Sequence, residues 1–182
     1  MTDAVELYIE KVSERAVLPA YAHEGDAGMD VAASEACLLR AGETLRVHTG
    51  LILHIPPGYE VQVRPRSGLS LRTKLRLPNS PGTIDSGYHD ELMILVENTS
   101  RAPASTREDD DGQMGLPTCT LDVKGSPDAH YQIRVGDRIA QLVVAPVCHA
   151  ALYAGKPPEE LAMTENRGGG FGSSGLRSLR RV

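Results

Sequence analysis

The chain has 182 residues, which suits one domain with a hydrophobic core and leaves little room for two. Its 19 basic and 24 acidic residues give a formal net charge of −5, which argues against a protein that binds the phosphate backbone of nucleic acids. The three cysteines are widely spaced and match no disulfide or metal-binding pattern. Neither a signal peptide nor a membrane span is recognisable. We therefore predict a soluble cytoplasmic protein with no nucleic-acid partner and no membrane partner.

Alternation of apolar and polar residues is the commonest pattern along the chain. It runs through residues 5–9, 45–55 and 59–63 and predicts strands with one buried face. The apolar runs at 92–96 and 139–147 predict strands covered on both faces. Turn signals such as "RAGE", "IPPGY", "NSPG" and "RVGD" separate these segments, as is typical of an all-β sandwich or barrel.

The second half of the chain departs from this pattern in three segments. The clearest helix candidate is "PPEELAM" at 157–163. Residues 99–130, rich in Pro, Gly, Ser and acids, predict a long surface insertion with a short strand at 119–123. We therefore predict a β domain over 1–164 that carries this insertion, followed by a flexible glycine-rich tail over 165–182.

Two segments combine charged side chains with glycines, which allow a ligand to approach the backbone closely. In "GDAGMDVAA" at 25–33, Asp26 and Asp30 mark either a ligand site or a turn entering a strand. In "RPRSGLSLR" at 64–72, the Arg66 guanidinium, the Ser67 hydroxyl and the following backbone N–H groups are suited to cradle phosphates. A solvated strand end is the alternative interpretation of the second segment.

Three single residues, Asp85, Gln141 and Phe171, are further candidates for a functional site. Asp85, just before an apolar strand, could orient and deprotonate a water molecule or simply stabilise a turn. Gln141 lies inside an apolar strand, where its amide needs a partner from the backbone or a ligand. Phe171, the only phenylalanine, lies in "RGGGFGSSG" at 167–175, where the flanking glycines cannot form a core around it.

Five segments in this order resemble the motifs of the trimeric dUTPase family of all-β pyrophosphatases. They are "AGMDVAA", "PRSGLS", "PGTIDSGY", "GDRIAQL" and "RGGGFGSSG". The resemblance covers residues 5 to 175 apart from the insertion. It implies a distorted jelly-roll or β-clip sandwich as the subunit of a homotrimer with shared active sites. It also implies hydrolysis of dUTP to dUMP and pyrophosphate, which limits uracil in DNA and supplies dUMP.

The resemblance assigns roles around the triphosphate. Asp85 matches the carboxylate that activates the water attacking the α-phosphorus. Asp30 matches an acid that contacts Mg²⁺ through water, because the family holds its metal mainly by phosphate oxygens and water. The implied phosphate-binding residues are Arg66, Ser67, Gly68 and Gln141.

It also assigns residues to the nucleoside and to the tail. The residues implied around deoxyuridine are Asn79, Thr83, Ile84, Tyr88 and Met93. Tyr88 matches the ring that packs on deoxyribose and excludes a 2′-hydroxyl. The tail, supplied by a neighbouring subunit, implies that Phe171 stacks on uracil, that Arg167 binds the outer phosphates, and that Gly172 and Ser173 add backbone donors.

Four positions depart from the family pattern. The tail has one residue fewer between Arg167 and Phe171. The usual "DSDY" is "DSGY", with Gly87 in place of an acid. Two customary glycines are Lys74 and Asp90, and the second of these lies in the nucleoside hairpin itself.

Two other functions are compatible with the sequence. A dCTP deaminase, or a deaminase that is also a dUTPase, shares the fold, although the tail aromatic and "GTIDSGY" match the hydrolase pattern better. A non-catalytic protein that senses dUTP and binds an unknown partner through the insertion is the other alternative. Asp85 together with Arg167 favours catalysis.

Overall fold

The computed structural model of the chain describes residues 4–101 and 115–162, which are almost entirely β-structure with two short helices. The described strands are β1 (Tyr8–Lys11), β2 (Met29–Ala32), β3 (Cys37–Leu39), β4 (Thr44–His48), β5 (Leu51–His54), β6 (Tyr59–Arg64), β7 (Leu75–Arg76), β8 (Gly82–Asp85), β9 (Met93–Asn98), β10 (Thr118–Thr120), β11 (His130–Ile133) and β12 (Arg138–Pro146). The helices are α1 (Ser67–Arg72) and α2 (Glu159–Ala162). The predicted all-β class is confirmed.

The strands form small sheets whose neighbours are mostly distant in sequence. The largest has the order β2-β12-β6-β8, and every pairing in it is antiparallel. The others are β4-β9-β7, β10-β11-β3 and the pair β1-β5. Since these orders join distant segments, the residues that the sequence places far apart meet at the sheet edges.

The core is built from the apolar positions of the alternating segments. Leu51 and Leu53 of β5, and Val61 and Val63 of β6, are buried, as the alternation predicts. Strand β9 differs from the prediction, because its residues alternate between buried and half-buried. One face of β9 packs on the core, and no further layer of the described chain covers the other face completely.

Helix α1 follows β6 at the point where the sequence predicts only a phosphate-binding loop. Arg66 is its N-cap residue, with extended backbone angles, and Leu69 is its buried residue. The helix ends at Arg72, and its C-cap residue Thr73 donates from both its backbone N–H and its side-chain hydroxyl to the Leu69 carbonyl, at 3.0 and 2.8 Å. Six residues are too few to show a helical period, so the sequence pattern could not reveal this turn.

The described part of the predicted insertion packs into the domain. Strand β10 overlaps the strand predicted at 119–123 and pairs in parallel with β11. The Tyr131 hydroxyl donates to the Pro127 carbonyl at 2.5 Å and accepts from the Lys74 N–H at 3.2 Å. Burial raises the pKa of this Tyr131 hydroxyl. The segment from 115 to 130 is thus tied to the strands on either side of it.

The chain divides into two units, Met1–Cys148 and His149–Val182. In the second unit, helix α2 confirms the prediction at 157–163, and the Pro158 carbonyl accepts the Leu161 N–H at 3.0 Å. None of the helices in the described ranges has the length and apolar character needed to cross a membrane. The tail predicted over 165–182 lies outside the described residues, so its boundary stays a prediction.

Candidate active site

A cavity of about 410 Å³ opens beside β2, α1 and β12, and the implied phosphate-binding residues line it. The strand register explains their meeting, because Gln141 of β12 is paired with Asp30 on one side and Arg64 on the other. Strand β6 then leads directly into Arg66 and α1. The lining residues used below are Gly28, Asp30, Arg66, Ser67, Gly68 and Gln141.

Asp30 and Arg66 form a bidentate ion pair at the floor of this cavity. Arg66 donates from Nε to Asp30 Oδ1 at 2.6 Å and from its second terminal nitrogen to Oδ2 at 3.1 Å. Arg138 adds a third donor to Oδ2 at 2.9 Å. Both partners of the pair are only about a quarter exposed or less, at 25% and 21%. The first terminal nitrogen of Arg66 also donates to the Arg138 carbonyl at 3.2 Å. These three bonds from Arg66 hold the guanidinium in place, and two of its five N–H groups remain available to an anion.

Gln141 finds the backbone partner that its place in an apolar strand requires. Its side-chain amide donates to the Pro65 carbonyl at 2.9 Å. Its oxygen lies above Gly28, where an added Cβ would stand only 2.6 Å away. Gly28 therefore leaves space for the Gln141 side chain, and the second N–H of the amide remains available toward the cavity.

Ser67 and Gly68 present backbone to the same cavity. They occupy the first turn of α1, where N–H groups have no acceptor within the helix. Gly68 has open space around its Cα, so an anion can approach the main chain closely. A hydroxyl, free N–H groups and a fixed guanidinium together make a phosphate cradle.

The implied nucleoside residues lie in a different place, on β8, on β9 and in the loops that flank β8. The hairpin expected from the resemblance is not formed, because β8 pairs with β6 while β9 belongs to the sheet β4-β9-β7. Asn79 is exposed, and its amide lies over Gly82 at the start of β8. Thr83 is exposed and Ile84 is half-buried on β8. Half-buried Tyr88 lies in the turn, and Met93 begins β9.

Asp85 closes β8 and is far from the phosphate cavity of its own chain. Its carboxylate is exposed and makes no hydrogen bond or ion pair within the described ranges. It is paired with Glu60, four residues before Arg64, and β8 lies three strands from β2. At about 4.8 Å between strands and about 3.3 Å per residue, Asp85 lies roughly 20 Å from Asp30. One subunit alone does not bring these two carboxylates together.

The described residues suit Mg²⁺ only through water. No group of three or more His, Cys, Asp or Glu side chains that could hold a metal ion occurs in 4–101 and 115–162. A carboxylate has about four acceptor sites, and guanidinium N–H groups already occupy three of them on Asp30. The remaining site can accept one hydrogen bond from a metal-bound water.

Two site residues were missed by sequence reasoning. Arg138 stands in the quoted motif "GDRIAQL", but only the β2–β12 register, with a bulge between Arg138 and Ala140, brings it to Asp30. Gly28 stands in "AGMDVAA", and its role depends on where the Gln141 amide lies. Arg167, Phe171, Gly172 and Ser173 lie outside the described residues.

Comparisons with known proteins agree with this geometry. The family model described as dUTPase matches residues 14–110. A deoxyuridine 5'-triphosphate nucleotidohydrolase of Leifsonia xyli subsp. xyli is 40% identical over 175 residues, which are 96% of this chain and 93% of the relative.

Solved structures of phage proteins share the fold. The dUTPase of Staphylococcus bacteriophage 80alpha with dUPNHPP has a TM-score of 0.78 and 30% identity, covering 94% of this chain and 99% of that one. A point variant of the dUTPase of S. aureus phage phi11, which coordinates a structural Mg(II) ion, has a TM-score of 0.71 and 29% identity, covering 85% and 99%. The predicted distorted jelly-roll sandwich is confirmed.

Proposed function

Because this chain belongs to the dUTPase family, we propose that it is a dUTP diphosphatase that hydrolyses dUTP to dUMP and pyrophosphate. The reaction limits uracil in DNA and supplies dUMP. The observation that carries the proposal is the pairing of two incomplete halves: a phosphate cradle at one edge of the main sheet and, at the other, the Asp85 carboxylate, which has no partner among the described residues. The cradle supplies the groups that bind phosphate, and Asp85 supplies the base.

The phosphate cradle binds and orients the triphosphate. Arg66, held by Asp30, neutralises charge that moves onto the departing pyrophosphate. Ser67, Gly68 and the free amide N–H of Gln141 fix the position of the phosphates. Such a site contributes mainly by positioning and by stabilising negative charge.

Asp85 orients a water molecule and takes its proton as the water attacks the α-phosphorus. Its exposure, and its lack of partners in the described ranges, leave both carboxylate oxygens available. Since roughly 20 Å separates it from Asp30 within one chain, we assign the cradle and the base of each site to different subunits. We therefore infer an oligomer with shared sites, and the resemblance to the trimeric dUTPase family implies that it is a homotrimer. The half-exposed apolar residues Val17, Leu18 and Tyr21 also support association.

Mg²⁺ fits this site as a partner of the substrate. The phosphate oxygens and water would hold the ion, and Asp30 would accept a hydrogen bond from one of its waters. When bound, Mg²⁺ supplies positive charge that offsets the negative charge of the triphosphate. Arg66 and Arg138 remain the protein's own positive charges beside Asp30.

The residues on β8, on β9 and in the loops that flank β8 select the nucleoside. Asn79, Thr83, Ile84 and Met93 surround the base, and the Tyr88 ring packs on the deoxyribose where a 2′-hydroxyl would clash. A pocket whose buried polar groups pair with uracil rejects an analogue that leaves them unpaired. Gly87 and Asp90 are exposed in the segment between β8 and β9 that carries Tyr88.

The tail contributes Phe171 as the ring that stacks on uracil, with Arg167 on the outer phosphates and Gly172 and Ser173 as backbone donors. Phe171→Ala should lower kcat/KM for dUTP by roughly 5- to 150-fold, since stacking on a base is worth roughly 1–3 kcal/mol and about 1.4 kcal/mol is a factor of ten. The melting temperature should not change. Leu179→Ala, in the same tail, is the matched control and should leave kcat/KM unchanged. A large fall in melting temperature for Phe171→Ala would indicate that the ring packs in the core instead.

Product analysis tests the proposed function directly. With Mg²⁺ present, the protein should release pyrophosphate from dUTP and should favour dUTP over dCTP by about 10⁴-fold in kcat/KM. Ammonia released from dCTP would support the deaminase alternative. Tight binding of dUTP without pyrophosphate release would support the sensing alternative.

A further inference from the structure

The turn that carries Tyr88 is tied to another part of the fold through one residue, Glu91. The Tyr88 hydroxyl donates to the Glu91 carbonyl at 2.9 Å, which closes this turn on itself. The Glu91 carboxylate contacts the turn between β4 and β5 instead. Glu91 therefore joins the ring proposed to contact deoxyribose to the turn between β4 and β5, to which the proposed function assigns no substrate contact.

Both carboxylate oxygens of Glu91 have partners in that turn. Oε1 accepts the Gly50 backbone N–H at 2.7 Å, and Oε2 lies 2.9 Å from His48 Nδ1. Since an ionised carboxylate only accepts, a hydrogen bond here requires the form of His48 that carries a proton on Nδ1. The Glu91 side chain is 25% exposed and that of His48 is 43% exposed, whereas Gly50 is buried, so the bond to Gly50 is the better shielded from water.

The turn from His48 to Leu51 is itself rigid. Gly50 has a φ of +67°, and an added Cβ would stand 2.7 Å from Ser13 Cβ and 2.9 Å from Ala16 Cβ. On the next residue after Glu91, Leu92 donates its N–H to the Leu51 carbonyl at 2.7 Å and accepts the Thr49 hydroxyl at 2.5 Å. The anchor of Glu91 is thus fixed by close packing and by backbone hydrogen bonds.

We propose that Glu91 is a positioning residue that sets the Tyr88 ring against the sugar and so determines the discrimination between deoxyribose and ribose. The inference rests on the proposed function. Exclusion of a 2′-hydroxyl depends on a ring position defined to a fraction of an ångström. The Tyr88 ring is held at its hydroxyl by the Glu91 carbonyl, and that carbonyl is held by the Glu91 carboxylate on Gly50 and His48.

The test compares kcat/KM for dUTP with kcat/KM for UTP in the full-length protein. This ratio does not depend on the fraction of folded enzyme, so a loss of stability cannot imitate the effect. Glu91→Ala should lower the ratio about 10-fold, less than the roughly 10²-fold that a 1 Å misplacement can cost. Glu91→Gln keeps an oxygen for the Gly50 N–H and should keep most of the ratio.

A second variant tests the connection between the two residues. Tyr88→Phe removes only the hydroxyl that donates to the Glu91 carbonyl, and it should lower the ratio by a similar factor. The double variant Tyr88→Phe with Glu91→Ala should be no worse than either single variant, because both break the same chain of contacts. Glu97→Ala is the matched control, since its side chain makes no hydrogen bond or ion pair in the described part of the chain, and its ratio should match the wild type.

Three results separate failure of this inference from failure of the proposed function. If Tyr88→Ala lowers the ratio and Glu91→Ala does not, the positioning role of Glu91 is wrong and the proposed function stands. If Tyr88→Ala also leaves the ratio unchanged, the sugar contact assigned to Tyr88 is wrong, and the inference falls with it. If the wild type releases no pyrophosphate from dUTP, the proposed function itself fails.

Discussion

Asp85→Asn should reduce kcat for dUTP by roughly 10²–10⁴-fold, the contribution expected of a general base. The asparagine amide keeps the size of the carboxylate but cannot take a proton from water. Because the Asp85 side chain makes no hydrogen bond or ion pair in the described residues, the change removes no structural contact there, and the melting temperature should stay the same. Affinity for the analogue dUPNHPP should also remain near that of the wild type.

Steady-state kinetics and analogue binding on the same preparations provide the measurement for Asp85. Asp128→Asn makes the same chemical change at an exposed aspartate outside the proposed site, and it should leave kcat unchanged. Near-normal turnover by Asp85→Asn would contradict the assignment of this carboxylate as the base. A parallel loss of analogue binding would indicate instead that Asp85 holds the substrate.

Arg66→Ala should lower kcat/KM by roughly 10²–10³-fold, as for removal of a donor that stabilises developing charge. The substitution also removes one of the two positive charges that pair with Asp30, and Arg138 is then its remaining cationic partner in the described residues. The negative charge of the Asp30 carboxylate is then less neutralised and repels the phosphates. Arg66→Lys should restore little activity. An ammonium group lacks the planar fork that binds both Asp30 oxygens and an anion at once.

Kinetics with dUTP and a thermal melt of each variant distinguish the chemical effect from a structural one. Arg46→Ala is the matched control, since this exposed arginine of β4 makes no side-chain hydrogen bond or ion pair in the described ranges. Near wild-type kcat/KM for Arg66→Lys would contradict the account, because positive charge alone would then be sufficient.

Much of the fold could be predicted from the sequence, because alternation reports directly which face of a strand is buried. Leu51, Leu53, Val61 and Val63 are buried where the pattern places them. Helix α1 could not be predicted, since six residues with one buried side chain, Leu69, carry no periodic signal. The packing of residues 115–130 depends on a parallel pairing with β11, which is a long-range contact.

The members of the candidate site were easier to predict than their arrangement. The motifs contain Asp30, Arg66 and Gln141, but the ion pair of Asp30 with two arginines depends on strand register and a bulge. The distance of Asp85 from the cradle follows from strand order, which no local pattern reports. Glu91 lies between Asp90 and Met93, which the comparison of motifs names, but only its contacts with the β4–β5 turn indicate its proposed role.

Hydrolysis of dUTP in heavy-oxygen water, followed by mass spectrometry of both products, tests most directly whether water attacks the α-phosphorus at this site. Attack there forms a bond from the water oxygen to that phosphorus and breaks the bond to the pyrophosphate oxygen. The label should therefore enter dUMP, while the pyrophosphate should carry none. Label found in pyrophosphate would mean attack on the β-phosphorus, and it would contradict the roles assigned here to Asp85 and to the phosphate cradle.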